Sequence, residues 1–135
     1  QRNVIFYGRK PSDEMPQYYA MADAMLVTLT ADRFISLTLP GNVQTYMAAG
    51  KPIIGAAIGE IPNVIDAAKC GYCASAEDAK GLAEAVLKFI ANENRKQLGE
   101  NSRAYYEHHF TRDMFMNHLE KELRCYGYKK EGATI

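Results

Sequence analysis

The stretch Leu39-Pro40-Gly41-Asn42-Val43-Gln44-Thr45-Tyr46-Met47-Ala48-Ala49-Gly50-Lys51-Pro52-Ile53-Ile54-Gly55 constrains the chain most, because it carries a helix start, a helix stop and a buried strand in immediate succession. Pro40 presets the φ that a helix start requires, and Gly41 leaves the first free N–H groups uncovered at the positive end of the helix dipole. Such an end is a ready-made anion site. Val43, Tyr46 and Met47 fall at i, i+3, i+4, and Gly50 stands where a left-handed glycine ends a helix. Ile53-Ile54-Gly55-Ala56-Ala57 is then apolar at every position, which suits a strand covered on both faces.

Strand and helix alternate along the whole chain. Apolar runs at residues 4–7, 24–29, 53–57 and, more weakly, 72–74 predict about four strands. Ser12 is expected to cap a helix beginning Asp13-Glu14, with Met15, Tyr18, Tyr19 and Ala22 on one face. Ile61, Val64, Ile65 and Ala68 repeat that spacing, with Gly71 expected as the stop. Ala79, Leu82, Ala83, Val86, Leu87 and Ile90 give three turns of one apolar face, and two helices follow over residues 95–108 and 112–126, the second aligning Phe115, Leu119 and Leu123. Short connections between these elements predict an α/β fold, a doubly wound parallel sheet with carboxyl-terminal helices. Residues 129–135 are polar and are expected to fray.

With 135 residues and 47% apolar content, the chain fits one domain with a core of its own. Sixteen basic residues balance sixteen acidic ones, so no nucleic-acid stripe is expected. No run approaches the ~20 apolar residues of a membrane span. The expected location is cytoplasmic, any membrane contact being carried by parts outside this chain.

Smaller constellations read as structural. Cys70-Gly71-Tyr72-Cys73 has a two-cysteine spacing, but Cys125 is the only further cysteine, so a buried thiol pair is the expectation over a redox or zinc site. His108 and His109 project about 100° apart on a helix, and with His118 they read as a solvated helix end rather than a metal site. Tyr18-Tyr19 and Tyr105-Tyr106 lack the basic run of a stacking platform. Arg9-Lys10 follows a predicted strand at its carboxyl end, which leaves a ligand role and a solvated loop both open.

Five pieces in register resemble the donor-binding core of GT-B-type glycosyltransferases. The Ala48-Ala49-Gly50-Lys51-Pro52 stretch is similar to the family's Ala-Ala-Gly-Lys-Pro, and Val4-Ile5-Phe6-Tyr7-Gly8 to the strand and glycine that pass the nucleotide base. Tyr19-Ala20-Met21-Ala22-Asp23 resembles a Tyr-x-x-Ala-Asp, and Ile58-Gly59-Glu60-Ile61-Pro62-Asn63-Val64-Ile65 a Gly-Gly-hydrophobic-Pro-Glu loop. His109-Phe110-Thr111 is similar to the Phe-Ser/Thr that caps the last helix. The sequence departs from the family where two Glu flank the core, since Leu37 and Thr45 stand there, and Asn42 replaces a phosphate-meeting Lys. Ser36-Leu37-Thr38-Leu39-Pro40 is closest to a bacterial surface-polysaccharide branch.

The resemblance implies that residues 1–128 form part of a donor-binding domain, the rear portion of a GT-B half. The intact enzyme would transfer a glycosyl unit from a nucleoside diphosphate sugar, with no cofactor and no metal. Its acceptor would lie in a separate amino-terminal domain, and the piece alone would be inactive. The implied donor contacts are Gly41, Asn42 and Val43 as phosphate-facing N–H donors, Thr45 at the ribose, Gly8 and Arg9 along the base, and Gly59 and Glu60 near the sugar or ribose. No catalytic residue is assigned. A nucleotide-sugar epimerase of the same architecture and a non-catalytic binding module remain as alternatives. The apolar, uncharged residues 24–29 are expected to form an open sheet edge, through which the isolated chain dimerises.

Overall fold

In the computed structural model, which describes residues 3–126, β1 (Met25–Thr28), β2 (Ile53–Ala56) and β3 (Gly71–Ala74) form a parallel sheet in the order β1-β2-β3. Met25 lies opposite Ile53, and Ile53 opposite Gly71. A 3-10 turn, Ser12–Glu14, leads into α1 (Met15–Met21) before the sheet. β1 is joined to β2 through α2 (Arg33–Ser36) and α3 (Gly41–Ala48), and β2 to β3 through α4 (Glu60–Ala68). Then come α5 (Ala79–Ala91), α6 (Arg95–His109) and α7 (Arg112–Cys125).

The alternation of side chains along β2 divides the core in two. Ile53 packs with Val43 and Met47 of α3 and with Ile61 and Ile65 of α4, whereas Ile54 packs with Ala85 and Phe89 of α5. Helices therefore cover both faces, which is why every residue of β2 is buried. Each of the large apolar side chains removed from water there contributes about 1.5–3 kcal/mol. Gly55 keeps the layer thin, since a Cβ there would lie 2.8 Å from Cys73 Sγ.

Several expectations need correction. Residues 4–7 form no strand: they lie exposed, with Phe6 92% accessible. A strand is held by a neighbour's backbone as well as by its own side chains, and the outer edge of β1 is not paired with this segment. Three strands stand where about four were expected. Ser12 sits inside the 3-10 turn and caps nothing; Pro11 precedes the turn, and Pro16 fixes the first turn of α1. The stop of α4 is Lys69, at φ 50°, whose carbonyl accepts from Asn101 Nδ2 at 2.9 Å. Gly71 serves the sheet instead, because any Cβ there would overlap the backbone of Ile53.

The α5 helix is present, but its inward face is turned from the one the periodicity marks. Leu82, Ala85, Val86 and Phe89 face the sheet, and Leu87 and Ile90 are exposed. The small Ala85 lets the helix axis approach β2, and the largest side chain, Phe89, then fills the space beyond. The cap of α7 matches expectation, Thr111 Oγ1 accepting from Met114 N–H at 3.3 Å, yet none of its residues is buried, and Phe115, Leu119 and Leu123 are exposed. No described helix is long and apolar enough to cross a membrane. The expected fraying at 129–135 lies outside the described residues.

Candidate functional site

Ligands of parallel α/β sheets bind beyond the carboxyl ends of the strands. At that end here, β1 leads to Asp32, whose Oδ1 accepts from the N–H groups of Phe34 at 2.8 Å and Ile35 at 3.0 Å and so starts α2. The chain turns out of α2 with Thr38 Oγ1 donating to Ile35 O at 2.9 Å, and Pro40 then aims α3. β2 leads to Gly59, at φ 80°, the residue before α4. A Cβ at Gly59 would overlap the carbonyl of Ser36, so the loop after β2 rests directly on the end of α2. The lead into α4 thereby sits against the end of α2, the element that precedes α3.

The residues expected to meet a donor fall into two groups. Gly41 and Asn42 are exposed at the start of α3, and their N–H groups meet no acceptor among the described residues. Val43 N–H is shared with Pro40 O at 3.0 Å, and the Val43 side chain is buried, so its part is to anchor the turn. Thr45 is exposed one turn along, its hydroxyl donating to Gly41 O at 3.0 Å. Gly59 sits against Ser36, at the end of the helix before α3, and Glu60 follows it as the first residue of α4.

Gly8 and Arg9 form the second group. Gly8 has φ 70° with nothing within 4 Å of a built Cβ, and Arg9 is exposed beside it. No hydrogen bond or ion pair joins them to α3 or Gly59. The connection runs through rings: Tyr7 meets Tyr18 of α1 at 5.7 Å, and Tyr19 meets Tyr46 of α3 at 5.6 Å.

Two residues to which the sequence assigned no structural part shape this geometry. Asp32 starts α2 and Ser36 receives Gly59. Asp32 was findable as an Asp placed just before Phe34-Ile35, a cap position. The Ser36 contact spans two loops and leaves no local signal.

Elsewhere the chemistry is structural. Burial pushes the Cys70 thiol up to about 11, the neighbouring Ser102 hydroxyl lowering it by less, and burial also raises Cys73. Raised thiols are poor nucleophiles and poor metal ligands. His108 Nδ1 faces Ala104 O at 2.7 Å, while His109 stacks on Tyr105. A cavity of about 810 Å³, lined in part by Asp23, Pro52, Arg95 and Gly99, opens at the amino ends of β1 and β2, the wrong end of the sheet for the expected ligand. A crevice of about 320 Å³ between Thr30 and Glu77 lies at the carboxyl ends, on the α5 side.

Comparison with known proteins identifies the family. The family described as glycosyl transferases group 1 matches residues 1–105. The N-acetyl-alpha-D-glucosaminyl L-malate synthase of Bacillus anthracis is 28% identical over 118 residues, covering 87% of this chain and 29% of that protein. The amylovoran biosynthesis glycosyltransferase AmsK of Erwinia amylovora is 31% identical over 91 residues, covering 67% of this chain and 22% of that protein. The chain thus spans less than a third of the length of these curated relatives. With the family match extending from residue 1 through most of α6, the chain belongs to the glycosyl transferases group 1 family.

Proposed function

We propose that this chain is the donor-binding portion of a glycosyltransferase, which moves a glycosyl unit from a nucleoside diphosphate sugar to an acceptor hydroxyl in bacterial polysaccharide or glycoconjugate synthesis. The observation that carries the reading is the bare start of α3, where Gly41 and Asn42 hold free N–H groups at the carboxyl end of a parallel sheet. There the diphosphate accepts hydrogen bonds that strengthen as negative charge develops on the departing group, which is how fixed dipoles lower a barrier. Thr45 faces the ribose, Gly8 and Arg9 run along the base, and Gly59 and Glu60 lie near the sugar or ribose. The acceptor belongs to a separate amino-terminal domain and the cations that complete charge neutralisation lie outside these residues, so the chain alone does not turn over.

Calorimetric titration of the chain with UDP and with GDP tests this reading. Saturable binding of either, weakened by substitution at Gly41, is the expected result; no binding of either at millimolar concentration overturns it. A second reading, a binding module without chemistry, is favoured by Leu37 and Thr45 where the family has carboxylates. A longer protein that binds nucleotide but neither hydrolyses nor transfers its sugar would establish that reading. We also propose that the isolated chain pairs with a second copy across the edge of β1, where Leu26 is exposed. Light scattering at micromolar concentration should report a dimer, and a monomer removes the pairing.

A further inference from the structure

The carboxyl end of α3 is clasped by α6. Two of its last carbonyls are taken within its own turn, Tyr46 O by Lys51 N–H at 3.1 Å and Met47 O by Gly50 N–H at 2.9 Å, with Gly50 at φ 66°. That pattern leaves Ala48 O over. Arg103 Nη1 of α6 donates to it, while Arg103 Nε donates to Glu107 at 2.7 Å and the guanidinium lies 5.9 Å from the Tyr106 ring centre. One turn earlier on α6, Gly99 approaches Gly50 O so closely that a Cβ would lie 2.5 Å from it.

We propose that Arg103 is a positioning residue for the anion-binding end of α3. Held by Glu107 and Tyr106, it fixes the carboxyl end of the helix and so the direction in which Gly41 and Asn42 present their N–H groups. The helix has eight residues. At 1.5 Å per residue it is about 12 Å long, so a tilt of roughly ten degrees about its carboxyl end carries its amino end by about 2 Å. Misplacements of that size are felt strongly by a bound group. Arg103 also sets a cation against the negative end of the same dipole whose positive end faces the ligand.

This inference rests on the donor-site reading, and the experiment separates the two. Arg103→Ala and Arg103→Lys are compared with the parent chain by UDP and GDP titration and by the amide resonances of Gly41 and Asn42. The Arg103 side chain is half exposed, 52%, so the Ala variant leaves no buried void. Arg124→Ala, which breaks a similar i,i+4 pair with Glu120 on α7, is the control. Arg103→Ala is expected to move both amide resonances and to weaken nucleotide binding about tenfold. Lys, which keeps the charge and a donor, should restore most of the loss, and the control should do neither. Unmoved Gly41 and Asn42 resonances in a folded Arg103→Ala chain overturn the positioning role, as does a loss equally large in Arg124→Ala. If the parent chain binds neither nucleotide, the donor-site reading fails, while the resonances still decide what Arg103 does.

Discussion

The two ends of α3 are built in opposite ways. At its carboxyl end Tyr46, Met47 and Ala48 carbonyls all have donors, and the backbone of Gly50 touches α6. At its amino end Pro40 offers no side-chain cap, no acidic residue lies in the first turn, and the N–H groups of Gly41 and Asn42 stand open. Side-chain caps are available to this fold, for Asp32, Asp78 and Thr111 cap α2, α5 and α7, while α1, α4 and α6 go without one as α3 does. Leaving α3 uncapped forgoes about 1 kcal/mol. The contrast teaches that packing governs one end of this helix, whereas nothing in the chain closes the other, the end to which the proposed reading assigns the diphosphate.

The largest effect should come from breaking the packed end. Gly99→Ala gains helix propensity but drives a methyl into Gly50 O, and overpacking of this kind costs about 1–3 kcal/mol. A fall in Tm of several degrees is expected, visible by circular dichroism. Gly50→Ala meets only ordinary contacts, the nearest at 3.6 Å, so its cost is the left-handed strain of roughly 1–2 kcal/mol. Should Gly99→Ala prove as stable as the parent, the close approach of α6 to α3 is not what holds the packed end.

Much of this contrast was legible in the sequence, and the reason is locality. Pro40, Gly41 and Gly50 act on their own backbone, so the start, the stop and the left-handed turn of α3 follow from residue type. The run Ile53-Ile54-Gly55 likewise states its own burial. What escaped depends on partners far along the chain. Residues 4–7 have the composition of a strand but no strand beside them, and Gly71 looks like a helix stop until Ile53 is laid against it. Lys51 carries no local sign of its partner, yet its Nζ donates to Ala20 O at 3.1 Å and Ala22 O at 3.0 Å, closing the end of α1. Within the site, the start of α3 was readable, whereas the seating of Gly59 on Ser36 was not.

The open end is tested by Gly41→Asp, and here stability and binding should move in opposite directions. Nothing lies within 4 Å of a Cβ built on Gly41, so the side chain fits. In the free chain, an acid in the first turn complements the dipole and stabilises by about 0.3–1 kcal/mol. Toward a diphosphate the same charge repels, by about 1 kcal/mol for each unit charge at 4 Å in water, so nucleotide affinity should drop roughly tenfold at low salt. Unchanged affinity would remove this helix from the site.

The smallest effect is expected at Thr45, which the proposed reading sets at the ribose and which spends its hydroxyl proton on Gly41 O at 3.0 Å. The oxygen can still accept, but as a neutral group on an exposed helix face it discriminates weakly. Thr45→Glu removes the back-bond to Gly41 and supplies a charged acceptor two residues beyond the anchored Val43. Hydrogen bonds to charged groups contribute about 1.5–3 kcal/mol when well formed, and exposure of this face should bring the gain nearer to 1 kcal/mol, about fivefold. The gain should be larger for UDP than for its 2′-deoxy counterpart, because the carboxylate has two ribose hydroxyls to receive in the first and one in the second. Titration of both nucleotides against both chains reads this directly. Equal ratios of ribo- to deoxyribonucleotide affinity in the two chains would place the ribose away from Thr45 and leave the N–H groups of Gly41 and Asn42 as the part of α3 that faces the ligand.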